Sequence, residues 1–386
     1  VSHQSALPAR ASVVVVGGGV MGTSIAFHLA EAGVAGVVLL ERDALGSGST
    51  SRAAGGVRAQ FSDPLNIAIA LRSLEAFDRF ASRPGAEIDL HKVGYLFLLD
   101  REEDVRRFSE SVELQNDHGV PSRLIDAAEA KRLSPLAEVD GVLAASFCPL
   151  DGHASPEAVV LGYAAAARAL GATILTGCEL TGIERAGGEI CAVETSAGRI
   201  ETATVVCAAG VWSPAVAELA GVCLPVSAYR REVGFTAPMP GIGAPPLTID
   251  FSTSFYFHRE GEGLLFGMAD QEQAAGFEAP RDPAWLEKVF AVAERRLPLL
   301  CEAPIAGGWS GYYETTPDHN ALIGEASQTA RFLYATGFSG HGFLQGPAVG
   351  EIMRDLVLGR APFVEVSPLS AERFARRAAR PELNVV

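Results

Sequence analysis

Ser12-Val13-Val14-Val15-Val16-Gly17-Gly18-Gly19-Val20-Met21-Gly22 is the stretch that decides the fold. Its valine run has the all-apolar character of a parallel strand covered on both faces. Its glycines follow the pattern Gly17-x-Gly19-x-x-Gly22. In such a turn the first glycine permits a tight bend and the second lets the backbone approach a pyrophosphate. The third allows close helix–strand packing. Spacing then predicts a helix over 21–32, with Ile25, Leu29 and Ala32 available for one face and Gly33 as its stop. A second apolar strand is predicted over 36–40, ending at Glu41. The unit is βαβ. The N–H groups around Val20 and Met21, and the helix dipole, then face a diphosphate. Glu41 falls about twenty residues beyond the loop, where a carboxylate accepts hydrogen bonds from ribose hydroxyls and repels a 2′-phosphate. That disfavours NADP and leaves NAD and FAD both open.

The bulk numbers set limits. A chain of 386 residues suits two domains or one large interleaved pair. With 48% hydrophobic and 20% charged residues it is globular. A net charge of −15 opposes nucleic acid and anionic membranes as partners. The cysteines at 148, 178, 191, 207, 223 and 301 form no C-x-x-C pair, so neither a metal site nor a redox motif is expected. Cys191 and Cys207 lie in apolar strand-like runs and are expected as buried thiols. The setting expected from this is reducing and cytoplasmic. Residues 13–30 carry no formal charge, but their three consecutive glycines argue against a signal peptide or a membrane span.

Further along, helices are predicted over 63–80, 102–118, 126–133 and 156–170, and strands over 93–99, 173–175, 179–185, 189–195, 204–208 and 331–336. Residues 251–268 are expected to hold two antiparallel strands, and the chain beyond about 363 carries no pattern. A second glycine loop, 337–346, precedes a helix expected over 347–358, opened by Pro347 and followed by Gly359. Gly337-Phe338-Ser339-Gly340-His341-Gly342-Phe343 would set backbone donors against an electron-rich group. The N1 and C2=O edge of an isoalloxazine is such a group, because negative charge develops there on reduction. This tips the choice to FAD.

The residues that carry a family resemblance are then on view. They are the Val14–Gly19 run, Gly48-Ser49-Thr50-Ser51-Arg52, Cys207-Ala208-Ala209-Gly210-Val211-Trp212-Ser213, Thr316-Pro317-Asp318 and the loop 337–343. Over 12–360 the chain resembles the D-amino-acid-oxidase-like FAD flavoproteins, in particular the glycine oxidase, sarcosine oxidase and proline dehydrogenase β-subunit branch. The resemblance implies an α/β plus α+β fold, a Rossmann-like FAD-binding domain interleaved with an antiparallel-sheet substrate domain. The FAD domain would take 11–90, 145–225 and 325–365, and the substrate domain 91–144 and 226–324. Gly17, Gly19, Val20, Met21, Gly22, Glu41 and Arg42 would hold the dinucleotide. Gly48, Ser49, Thr50, Ser51, Arg52, Ala53, Gly55 and Gly56 would pass near the phosphates and flavin. Leu180 would present its backbone to the adenine, and Ala209, Gly210 and Trp212 would pack on the dinucleotide. Gly311, Gly337, Gly340, His341, Gly342, Phe343 and Leu344 would complete the flavin site.

Departures from the family carry information too. Gly311 and Arg52 stand where some relatives attach flavin covalently through cysteine or histidine, so the FAD is expected to be non-covalent. Leu265 stands where sarcosine oxidases keep a lysine that promotes reaction with oxygen. Leu344 stands where they keep a lysine for the substrate carboxylate. Trp309-Ser310-Gly311-Tyr312-Tyr313 lacks the carboxylate-binding arginine of glycine oxidase. The pocket is therefore expected to be less cationic and more apolar.

A carboxylate substrate calls for an arginine, whose fork matches it in two bonds. Arg58 is the candidate anchor, Arg52 is expected to face the flavin, Tyr256 to touch substrate and His341 to lie over the flavin. Arg230, Arg231 and His258 are further candidates. The implied reaction is oxidation of the C–N bond of an amino acid or secondary amine, expected to be glycine or an N-substituted glycine, sarcosine-like with a bulky apolar N-substituent. Hydride would pass to flavin N5, the imine would hydrolyse, and oxygen would take the electrons with release of hydrogen peroxide. One alternative is an amine or proline dehydrogenase subunit that passes electrons to a partner. An NAD-dependent dehydrogenase and a non-catalytic flavin-binding scaffold are the others.

Overall fold

The structure is a computed structural model that describes residues 6–270, 272–277 and 283–385. Val13–Val16 forms a buried strand inside a six-stranded sheet. The strand order is Leu322–Glu325, Phe332–Thr336, Val205–Cys207, Val13–Val16, Val37–Leu40, Thr173–Leu175. All neighbours are parallel except the first pair. The valine run is apolar throughout because both faces are covered. Val13 and Val15 join the core under the helices, and Val14 and Val16 join the core on the other side. The helices Val20–Glu31, Pro64–Asp78, Pro156–Ala169 and Gly342–Val357 pack together on the first side. The antiparallel strands Leu180–Ala186, Glu189–Thr195 and Gly198–Glu201 contribute to the second.

An eight-stranded sheet makes the other layer. Its order is Ile305–Thr315, Ser227–Thr236, Gly263–Met268, Phe255–Glu260, Leu247–Asp250, Tyr95–Leu99, Ala144–Cys148, Arg123–Ile125. Only Leu247–Asp250 and Tyr95–Leu99 run parallel; the other pairs are antiparallel. Tyr95–Leu99 and Ala144–Cys148 share five residue pairs, so that strand belongs to this sheet although it falls beyond 144. The chain crosses between the two layers several times, and the family fold expected from the resemblance is present.

Three expectations need correction. The last long helix starts at Gly342, not Pro347, and Pro347 lies inside it. The His341 carbonyl already accepts from the Gln345 amide at 3.2 Å, so the first turn closes ahead of the proline. Cys191 is exposed while Cys207 is buried. In Glu189–Thr195 side chains alternate between faces, and Ile190 and Ala192 take the inward positions around it. The segment after 363 is tied down. Arg373 makes a buried pair with Asp318 at 2.8 Å, and Glu382 accepts from the Ser62 amide at 2.9 Å. Both cysteine and helix findings leave the topology intact. Among the described residues no helix is long and apolar enough to cross a membrane.

Candidate functional site

The C-terminal ends of the parallel strands decide where a ligand can lie. Val13–Val16 ends at Gly17, Val37–Leu40 at Glu41, Val205–Cys207 at Ala208 and Phe332–Thr336 at Gly337. Successive connections leave the central strand to opposite sides, which opens a crevice there. A cavity of about 750 Å³ begins at this edge and runs to the eight-stranded sheet. Cofactor pockets span roughly 300–1,000 Å³.

One end is built from backbone. Gly17 has φ +111°, and a Cβ there would stand 2.3 Å from the Ala208 carbonyl oxygen. A Cβ on Gly22 would stand 1.8 Å from the Gly17 carbonyl oxygen. The tight turn and the close helix–strand approach inferred from the sequence are thus both present. The helix Val20–Glu31 has Gly19 as N-cap, no side-chain cap and no acid in its first turn. Its positive end is left for an anion. The Val20 amide reaches the Thr50 hydroxyl at 3.2 Å. Glu41 accepts from the Gly18 amide at 2.7 Å and the Asp43 amide at 2.8 Å, which fixes its carboxylate on the wall. Arg42 lies over the Trp212 ring at 4.2 Å. The donor set, the acid and the glycine cradle fit a dinucleotide such as FAD.

The other end is built from side chains. Arg58 is buried and lines the cavity. Its Nη2 donates to His341 Nε2 at 3.1 Å and to the Asn384 carbonyl at 2.7 Å, and its Nη1 donates to the Gln60 carbonyl. Its guanidinium lies 4.3 Å from the Phe61 ring centroid. Burial lowers its pKa. Among the described residues no carboxylate lies within 4.0 Å of it. Burial also holds His341 well below the usual histidine range, so the ring is neutral. Because arginine only donates, His341 Nε2 must accept, which puts the ring proton on Nδ1. Tyr95, Tyr256 and Tyr313 also line this end, and burial pushes all three phenols up. Val233, Leu247 and Ile249 supply apolar wall.

Most of the residues named from the sequence meet on this one cavity. Gly17, Gly19, Val20, Met21, Glu41, Arg42, Gly48, Ser49, Thr50, Arg52, Ala53, Gly55 and Gly56 line it, as do Leu180, Ala209, Gly210, Trp212, Gly311, Gly340, His341, Gly342, Phe343 and Leu344. Arg58 and Tyr256 do too. Gly22, Ser51 and Gly337 stand behind the wall; the Gly337 amide donates to Glu314 Oε2 at 3.1 Å. Arg52 lines the cavity and donates from Nη1 to the Ser310 carbonyl at 3.0 Å. Leu265 is buried in the sheet and off the wall. Arg230 bonds Ser310 and Tyr312 instead of facing the cavity.

His258 is also off the wall, and both its ring nitrogens face carbonyls, Arg259 at 2.8 Å and Ala54 at 3.0 Å. It forms a group with His153 and Glu260 whose ligand-type atoms lie within 4.8 Å of one another. Those two carbonyls already occupy the in-plane approach to both His258 ring nitrogens.

Sequence reasoning passed over Tyr95, Tyr313 and Glu314. The Glu314 carboxyl is buried in the cavity wall and pushed up to about 7 by burial, against hydrogen bonds from Thr336 and Gly337. Its signal was the unbroken run into Thr316-Pro317-Asp318. Arg231 was ranked low, yet it lines the cavity. Alternation in its strand turns Arg231 inward and Arg230 away, so Arg231 joins Arg58 on the wall.

Mouse (Mus musculus) mitochondrial sarcosine dehydrogenase is 30% identical over 95% of this chain, which covers 42% of that protein. The chain thus spans less than half the length of the curated relatives it matches first. The crystal structure of L-proline dehydrogenase from P. horikoshii is 34% identical with a TM-score of 0.92, covering 97% of this chain and 100% of that one. Glycine oxidase from Geobacillus kaustophilus is 25% identical with a TM-score of 0.84, over 94% of this chain and 99% of that one. Residues 12–356 match the family described as FAD dependent oxidoreductase (DAO). A dinucleotide cradle at the strand ends, opening onto a side-chain pocket beneath an antiparallel sheet, is what that match requires, and the chain belongs to the DAO family of FAD-dependent oxidoreductases.

Proposed function

We propose that this chain oxidises the C–N bond of an amino acid, glycine or an N-substituted glycine, with FAD as the oxidant. The observation that carries the reading is Arg58, a buried cation on the cavity wall with no carboxylate partner among the described residues. An unpaired buried charge is costly, so a ligand carboxylate is its natural partner. Two of its N–H groups, one on Nε and one on Nη1, carry no protein bond among the described residues; they point to different edges of the guanidinium, and either can donate to that carboxylate. His341 and Phe61 hold the guanidinium in place.

When bound, FAD supplies the acceptor for the hydride that leaves the carbon next to nitrogen. The chain's own residues position and enclose. Tyr256 and Tyr313 keep their protons because burial raises both phenols, so each offers a donor to a substrate oxygen or a hydroxyl lone pair to an amine. His341 Nε2 is spent on Arg58 and is no base for the amine. The substrate amine therefore enters neutral, and the imine product hydrolyses in water. Leu344, Val233, Leu247 and Ile249 make room for an apolar stretch of an N-substituent. The names of the relatives, sarcosine dehydrogenase, L-proline dehydrogenase and glycine oxidase, agree with an amino-acid substrate class.

We take the FAD as non-covalent, since Gly311 and Arg52 offer no nucleophile on the wall. Acid precipitation should then leave a colourless pellet; a yellow one contradicts it. Oxygen is the acceptor in our first reading, with hydrogen peroxide released. A second reading, electron transfer to a partner protein, is favoured by one observation: among the described residues no lysine lines the cavity. Stopped-flow mixing of reduced protein with oxygen separates the two, and fast reoxidation excludes the second. Six cysteines without a disulfide support a reducing compartment such as the cytoplasm. The main test is anaerobic. Glycine, sarcosine, proline, D-amino acids and longer N-alkyl glycines are added in turn, and at least one should bleach the flavin. Bleaching by none contradicts the proposal.

A further inference from the structure

Arg231 lies on Ser227–Thr236, directly opposite Gly311 on the neighbouring strand. Period-two alternation puts it on the same face as Tyr229 and Val233, and both Arg231 and Val233 line the cavity. Its guanidinium stands 5.2 Å from the Tyr313 ring centroid and 5.7 Å from that of Tyr229. Burial lowers its pKa. The one hydrogen bond it makes among the described residues is from Nη1 to the Arg230 carbonyl at 2.9 Å. Its Nε is buried without a partner. No described carboxylate lies within 4.0 Å of it. Asp270 acts on it from further off and is itself paired with Lys288 at 2.9 Å.

The contrast with Arg58 is in the donors left over. Arg58 spends both N–H groups of Nη2 on His341 and Asn384. Arg231 leaves Nη2 without a protein acceptor among the described residues, and both of its N–H groups remain for a carboxylate. The two cations share a neighbourhood: burial raises the Tyr313 phenol, and Arg231 and Arg58 both pull against that rise. The diphosphate of a dinucleotide is not the missing partner. The glycine loop that cradles it belongs to the other end of the cavity, whereas Arg231 sits among Tyr229, Tyr256 and Tyr313.

We infer that Arg231 takes a second acidic group on the substrate, so that the substrate class is an amino dicarboxylate: one carboxylate on Arg58, a second, carried by the N-substituent or side chain, on Arg231. This rests on the reading of Arg58 as carboxylate anchor. Val233, Leu247 and Ile249 on the same cavity wall offer apolar surface to the methylene stretch that joins the acids.

Inert ligands test it on the FAD-loaded protein without turnover. The α,ω-dicarboxylates from malonate to adipate are titrated against the monocarboxylates of matching length, and dissociation constants are read from perturbation of the flavin absorption. At one chain length the dicarboxylate should bind at least roughly tenfold tighter than its monocarboxylate, the worth of a charge-assisted pair. Arg231→Met should bring that ratio to about one, and Arg231→Lys, which keeps the charge but loses the fork, should keep part of it. Flavin absorbance of each variant reports FAD content. A ratio of one in the unaltered protein at every length overturns the inference while leaving Arg58 standing. So does a ratio that survives Arg231→Met, or release of FAD by Arg231→Lys, which would assign the arginine to the cofactor. Absence of binding by either series overturns this inference and the carboxylate anchor together.

Discussion

The two ends of the cavity are made differently. The nucleotide end is backbone: a tight turn at Gly17, a close approach at Gly22 and an uncapped helix N-terminus. The far end is side chain, with Arg58, Arg231, Tyr95, Tyr256, Tyr313 and His341 drawn from separate strands and loops. A backbone site tolerates no added atoms but is indifferent to most other changes. A side-chain site tolerates changes of shape but depends on charge.

That contrast can be broken at its strongest point first. In Gly22→Ala the new Cβ meets the Gly17 carbonyl, so the helix must move. We expect loss of bound FAD and destabilisation of about 3 kcal/mol or more, beyond the usual overpacking range. Absorbance of the purified variant near ~450 nm reports the first, since bound flavin absorbs there. Gly311→Ala, whose Cβ comes nearest to Arg52 Cβ at 3.0 Å and clashes with no backbone atom, should keep its yellow colour. Equal FAD content in the two variants would remove the backbone argument.

Arg58→Met probes the other end. Loss of a charged hydrogen-bonded anchor should lower kcat/KM by roughly 100-fold, about 2–3 kcal/mol. FAD content measured alongside should hold; a variant that loses FAD instead moves Arg58 to the cofactor side.

Glu314 lies between the ends and carries a pH signature. Burial raises its carboxyl from 4.5 to about 7, so the folded chain holds a proton that the unfolded chain releases. Stability from this group is therefore full below about 4.5 and is lost as pH rises toward 7. The slope cannot exceed about 1.4 kcal/mol per pH unit for one proton. Denaturant midpoints of the FAD-free protein between those pH values should fall less steeply in Glu314→Gln. Identical slopes would show that Glu314 titrates normally.

The smallest effect expected is at Glu41. Its two oxygens take the Gly18 and Asp43 amides, and an amide side chain can satisfy only one of them. Glu41→Gln should weaken FAD binding by roughly five- to tenfold, about 1 kcal/mol. Titration of FAD into the apoprotein measures it.

The same contrast explains what was legible in the sequence. Val13–Val16, the glycine turn and Glu41 lie within one local stretch, and each residue type is dictated by a short-range demand. Their positions at the strand end and turn could be read directly. The loop 337–343 was legible for the same reason, though Pro347 misled the helix start. Arg231 and Tyr313 sit on strands Ser227–Thr236 and Ile305–Thr315, which the sequence did not announce. The first is interrupted by Arg230, Arg231 and Glu232 and the second by Gly307, Gly308 and Gly311, and their burial is partial rather than alternating cleanly, so neither gives a period-two apolar signal. Which of Arg230 and Arg231 faces inward depends on the pairing with Gly311, a contact about eighty residues distant in the chain. Leu265, which the resemblance sets where sarcosine oxidases keep a lysine, is buried in the sheet and off the cavity wall.

The most direct test of the whole reading pairs each amino acid with the same amine lacking its carboxylate. Under anaerobic conditions sarcosine is compared with dimethylamine, and proline with pyrrolidine, while the flavin spectrum is followed. The carboxylated member of a pair should bleach the flavin, and its partner should fail to do so at the same concentration. Equal bleaching by both members of every pair would contradict an arginine-built substrate end.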